Sequence, residues 1–123
     1  MCIKTYYECK KWLRKTYRLQ KPLRILLVQH DTIVRHANDD SMVPPMGEKH
    51  LSDTGYDGMH IYNGERHRVL IDKGCTEQMK IATLLHEFAH VIIAERKLQD
   101  TSLHGKVFNR VLKRLEKKWN QCT

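Results

Sequence analysis

Residues 83–108, TLLHEFAHVIIAERKLQDTSLHGKVF, limit the fold more than any other stretch of the chain. They hold three of the eight histidines, with Glu87 directly after the first, inside a strongly apolar run. His86, Glu87 and His90 form an HExxH pattern. On an α-helix, positions four apart lie about 40° apart around the axis and about 6 Å along it. Both imidazoles then leave one face and can reach a single zinc ion at about 2.1 Å each. Glu87 is turned about 100° from His86. It is a poor third ligand, yet it flanks the site, where it can hold a water molecule and take its proton. Ile81, Leu84, Leu85, Phe88, Val91 and Ile92 make a wide apolar band, so this helix is expected to be largely buried. Two histidines and a carboxylate in such a core would cost free energy with no evident return unless they served a site.

A hydrolytic zinc centre needs a third protein ligand and an open fourth position. Val107, Phe108, Val111, Leu112, Leu115 and Trp119 mark a C-terminal helix, and counting back by three and four reaches His104. That spacing predicts His104 in the first turn of a helix capped by Thr101 or Ser102, facing inward. The connection between the two helices is short, so the HExxH helix is the expected neighbour and His104 the expected third ligand. Glu95 faces well away from both histidines of the motif. Asp100, in the connection, stays open as an alternative.

The rest of the chain supplies a scaffold. Ile3, Tyr6, Tyr7, Leu13 and Tyr17 predict an amphipathic helix over 3–19, ended by Pro22. LRILLVQHDTIVRH, rich in leucine and β-branched residues, predicts one or two strands. Residues 37–58, with two adjacent prolines and three of the six glycines, predict a long loop, of the kind that is usually either functional or mobile. MHIYNGERHRVLID predicts a hairpin about Asn63-Gly64, with His60 and His67 as ordinary strand residues. Thr76 is the expected cap of the HExxH helix.

At 123 residues, 41% hydrophobic and 29% charged, residues 1–123 are expected to form one domain. It would comprise an N-terminal helix, a three- to four-stranded sheet with a hairpin, the HExxH helix and a C-terminal helix. No run reaches the roughly 20 apolar residues of a membrane span, and the first residues have no apolar h-region. An intracellular protein, cytoplasmic or associated with nucleoid or nucleus, is therefore expected, as a monomer without a membrane partner. Cys2, Cys9, Cys75 and Cys122 show no CxxC pair and are expected to be reduced thiols.

Net charge is +8, with the cations in two blocks. Lys4, Lys10, Lys11, Arg14, Lys15, Arg18, Lys21 and Arg24 crowd the N-terminal segment, and Lys106, Arg110, Lys113, Arg114, Lys117 and Lys118 the last helix. With Tyr6, Tyr7, Trp12, Tyr17 and Trp119 interleaved, they point to an anionic partner such as single-stranded or duplex DNA.

TLLHEFAH followed by HGKVF resembles the SprT-like metalloprotease family, which includes the Spartan proteases of DNA–protein crosslinks. In that family an HExxH helix precedes a helix that opens on His-Gly, with an aromatic three residues further on. The matching positions are His86, Glu87, His90, His104, Gly105 and Phe108. The resemblance covers the C-terminal half and implies a small zincin-like α+β domain in minimal form, since there is no CxxC pair for a zinc ribbon. It implies zinc-dependent hydrolysis of peptide bonds in DNA-associated proteins, with Glu87 as general base and His86, His90 and His104 on the metal. Two other readings stand beside it: a peptidase dedicated to one regulatory protein, and a non-catalytic basic nucleic-acid-binding module with a structural zinc.

Overall fold

The computed structural model describes residues 5–37, 48–52, 55–98 and 104–121. Helix α1 spans Tyr6–Thr16 and is capped by the Thr5 hydroxyl, which accepts from the Glu8 N–H at 3.1 Å. It buries Tyr6, Cys9 and Leu13, one stripe at helical spacing. It is shorter than the expected 3–19, because Tyr17 is already extended. Strand β1 (Leu23–Val28) follows, then helix α2 (His30–Ala37).

That helix corrects the expectation of a second strand in this segment. Thr32–Val34 have strand propensity, but Ile33 is fully buried with Met59, Ile61 and Leu70 on the far face of the sheet. A short helix covers that face where a strand could not, so packing overrides propensity.

Strand β2 (Glu48–Ser52) and strand β3 (Gly55–Tyr62) correct the single long loop expected over 37–58; its remaining positions, 38–47 and 53–54, lie outside the described residues. The expected hairpin is present: β3 pairs antiparallel with β4 (His67–Asp72), with Tyr62 opposite His67. Its turn is closed by the Asn63 side chain, which accepts from the N–H groups of Glu65 and Arg66, both at 2.9 Å. Gly64 takes φ 89°, a left-handed conformation that glycine adopts without steric cost. The sheet order is β1-β4-β3-β2, with β1 parallel to β4 and the other pairs antiparallel.

Helix α3 (Glu77–Arg96) begins at Thr76, whose hydroxyl accepts from Met79 N–H at 3.2 Å, and ends on Lys97 in the left-handed region. Every residue from Thr83 to Ile92 is buried. Helix α4 (Lys106–Gln121) and α1 close the main core over α3, where Phe108, Leu115 and Trp119 join Leu84, Phe88 and Ile92 in one buried cluster. The molecule is a mixed α+β domain. Cys9 and Cys75 stay as thiols; Cys2 and Cys122 lie outside the described residues.

Candidate metal centre

His86 and His90 project from one face of α3, their ring centroids 5.3 Å apart. His104 meets both, at 5.0 Å from His86 and 5.1 Å from His90. One ligand nitrogen from each of the three lies within 4.8 Å of the others. His90 Nε2 and His104 Nε2 are 3.3 Å apart. Two nitrogens on a tetrahedral ion, each at about 2.1 Å, would be about 3.4 Å apart. The donors therefore fit: this buried group could hold a metal ion.

His104 does not sit in the first helical turn as expected. It lies in a turn two residues ahead of α4. Gly105 carries the capping role, its carbonyl accepting from Asn109 N–H at 3.0 Å. The Asn109 side chain donates to the His104 carbonyl at 3.3 Å and fixes that turn. Thr101, Ser102 and the alternative ligand Asp100 lie outside the described residues.

Phe108 supports all three rings. Its centroid is 4.9 Å from His86, 4.5 Å from His90 and 4.8 Å from His104, and the residue is only 1% exposed. Such contacts hold each imidazole by ring packing as well as by its polar atoms. Glu87 is fully buried on the adjoining face. There β3 approaches α3 at Gly58: a Cβ added at that glycine would overlap the Thr83 methyl group and lie 3.4 Å from Glu87 Cγ. The missing side chain lets the strand backbone reach the turn of helix that carries the acid.

Behind the three histidines runs a polar chain that the sequence reading did not foresee. His60 and His67, expected as ordinary strand residues, are both fully buried. His60 Nε2 and His67 Nδ1 are 2.9 Å apart, and His67 Nε2 lies 2.9 Å from Glu95 Oε2. If His67 Nε2 donates to the carboxylate, neutral His67 accepts from His60 through Nδ1. The His60 ring lies 6.4 Å from His90, the two planes only 5° apart. Glu95 also accepts from the N–H of Gln20 at 2.6 Å and of Lys21 at 3.2 Å. Burial pushes the Glu95 carboxyl upward, but the hydrogen bonds from His67, Gln20 and Lys21 outweigh it and hold the group below its ordinary range. The signal was present: a turn at Asn63 that pairs Tyr62 with His67 puts His60 and His67 on one face of the hairpin.

Tyr62 donates to the Gly64 carbonyl at 3.2 Å and stacks on His67, while His60 is joined to His67; the Tyr56 side chain is outside the described residues. A second set of donors, Asp57, Asp72 and Cys75, gathers where β3 starts and β4 ends. There burial, then Asp57 and Asp72, push the Cys75 thiol upward against the opposing charge of Lys80. Among the described residues no helix is long and apolar enough to cross a membrane. A scan against protein-family models and searches of curated proteins and of solved structures found no match.

Proposed function

We propose that the chain is a zinc-dependent metallopeptidase with a SprT-like, zincin-type site, acting on DNA-associated proteins inside the cell. The observation that carries this reading is the convergence of His86, His90 and His104 on one point, with buried Glu87 on the adjoining face. Three imidazoles suit zinc, as they also suit copper, iron and nickel, and zinc is the ion this reading takes. Zinc held there supplies Lewis acidity, which activates water and polarises the scissile carbonyl.

The chain's own residues supply the rest. His86 and His90 keep the separation that one helical turn sets, within the stretch Thr83 to Ile92 where every residue of α3 is buried. His104 approaches from a turn anchored by Asn109. Glu87 takes the proton of the attacking water and returns it to the leaving amine. β2 packs against α3 and is last in the order of the described strands; an extended substrate paired along it is the placement this reading favours.

The test compares wild type with Glu87→Gln on a basic DNA-binding protein, with and without single-stranded DNA, after zinc content has been measured. The expected result is one zinc per chain in both proteins and cleavage reduced on the order of 10²–10⁴-fold in the variant. Cleavage that survives Glu87→Gln would overturn the mechanism. Zinc-loaded protein that cleaves nothing would favour the nucleic-acid-binding module with a structural zinc. Cleavage of one partner alone would favour the dedicated peptidase.

A further inference from the structure

The face of α3 turned away from the histidines carries a second feature. Phe88 lies two residues from both His86 and His90, which on a helix is about 200° from the first and about 160° from the second. It therefore points away from the metal face, and its ring packs 5.5 Å from Tyr17. Around Tyr17 the surface is concave and basic. On one side is a cavity of about 100 Å³ with an apolar floor and a rim of Arg96, Arg110, Arg114 and Lys118. On the other, Arg14, Arg18 and Lys21 border a hollow of about 360 Å³ that shares Tyr17 and reaches Phe88. Arg114 and Lys118 also border an open concavity of about 550 Å³ with Lys113 and Lys117.

Among the described residues, no acidic one lines any of these three hollows. Glu95 borders the adjoining one, where its carboxylate is engaged by Gln20, Lys21 and His67. Lys118 Nζ stands 5.8 Å from the centre of the Tyr17 ring. Burial raises the Tyr17 phenol, and Arg96 and Arg114 oppose that rise, which puts both guanidinium groups in its neighbourhood. Arg110, Arg114 and Lys118 follow one another four residues apart, so cations recur about every 6 Å along one helix face.

We propose that this groove between α1, α3 and α4 binds the phosphodiester backbone of a nucleic acid, on the side of α3 opposite the metal centre. The occupant is argued from charge: a single phosphate meets a few of these cations, whereas a backbone with a charge at every nucleotide meets the whole row. Arg14, Arg18, Arg96, Arg110 and Arg114 add planar forks that suit phosphate oxygens. Binding is independent of base sequence, and it leaves the histidine face open. The inference deepens the nucleic-acid partner of the function proposed above but does not rest on its chemistry.

The experiment follows fluorescence anisotropy of a labelled oligothymidine on zinc-loaded protein over a range of salt, with polyglutamate and inorganic phosphate as competitors. The variant is Arg110→Gln/Arg114→Gln/Lys118→Gln, with its melting temperature and zinc content checked against wild type. The expected result is at least tenfold weaker binding, and a plot of log affinity against log salt shallower by about 2, since each lost contact to a single strand removes about 0.7. Unchanged affinity in a folded variant would overturn the site. Polyglutamate competing as well as the oligonucleotide would overturn the class of ligand, as would phosphate alone displacing it at low millimolar concentration. Glu87→Gln protein is expected to bind the oligonucleotide as wild type does, so a failure of catalysis and a failure of this groove are read separately.

Discussion

Replacing Phe108 separates the two tasks assigned to that ring, filling the core and supporting the three imidazoles. The side chain is 1% exposed, and its centroid lies within 5 Å of each histidine ring. Phe108→Ala is expected to cost about 3–5 kcal/mol through lost burial and the cavity left behind. For a chain of this length that is a fall of roughly 12–20 °C in melting temperature, enough to threaten folding. Phe108→Leu keeps most of the volume and should cost about 1.5 kcal/mol or less, so it isolates the loss of the flat ring. Zinc at one hundred times its dissociation constant stabilises the folded protein by about 2.7 kcal/mol. If the leucine variant holds its imidazoles less well and binds tenfold more weakly, the same zinc contributes only about 1.4 kcal/mol. The assay is a thermal melt of each protein in chelator and in excess zinc. The expected pattern is a modest fall for Phe108→Leu in chelator and a zinc-induced rise about half that of wild type. An equal zinc-induced rise in both proteins would show that Phe108 only fills space. No rise in wild type would remove the metal centre altogether.

Chelation is expected to lower the melting temperature of wild type, and His104→Ala should remove most of that response while leaving the helices intact by circular dichroism. Gly58→Ala places a methyl group against Thr83 and should cost about 1–3 kcal/mol; the second change Thr83→Ser, which removes the clashing methyl, should recover part of it, and additive losses in denaturant unfolding would refute the contact. Glu95→Gln should cost about 2–3 kcal/mol near neutral pH, because it weakens charge-assisted hydrogen bonds to Gln20, Lys21 and His67. The folded Glu95 is held below its ordinary value of 4.5, so its contribution is full above that value and fades as pH falls through the folded one. Wild type and variant should therefore converge in strongly acid urea melts, and a constant gap from neutral pH to pH 3 would contradict that origin.

The parts legible in the sequence were those fixed by local geometry. HExxH on a buried helix fixes two donors from one face, whatever the rest of the fold does. An Asn-Gly pair between β-rich runs marks a hairpin, although its register, Tyr62 opposite His67, leaves four residues in the loop rather than the two of an Asn-Gly turn. The parts that were not legible depend on contacts between distant segments. Ile33 sits in a helix because Met59, Ile61 and Leu70 present an apolar sheet face to cover, and nothing within residues 30–37 states that. His104 was found by counting apolar positions back along α4, yet that count could not show that Gly105 caps the helix and leaves His104 in the turn before it. Glu95 was placed away from His86 and His90 by its angle on the helix. The same angle turns it toward His67 and the chain leading into β1, contacts 28 and about 75 residues away in sequence.

Helix α3 shows why the two proposed activities can share so small a domain. A helix buried on one stripe has one face to offer; α3 is buried all round from Thr83 to Ile92, so opposite faces can meet different neighbours. The His86 and His90 face meets His104 and Phe108, while the Phe88 face meets Tyr17 and the basic groove. A polyanion in the groove would lie across the helix from the metal ligands and would compete with them for neither space nor charge. If salt sufficient to release the oligonucleotide left zinc affinity unchanged, the two faces would be energetically separate, as this geometry requires. A coupled loss would mean that α3 transmits strain between them, and the packing of Phe88 against Tyr17 would be the first contact to probe.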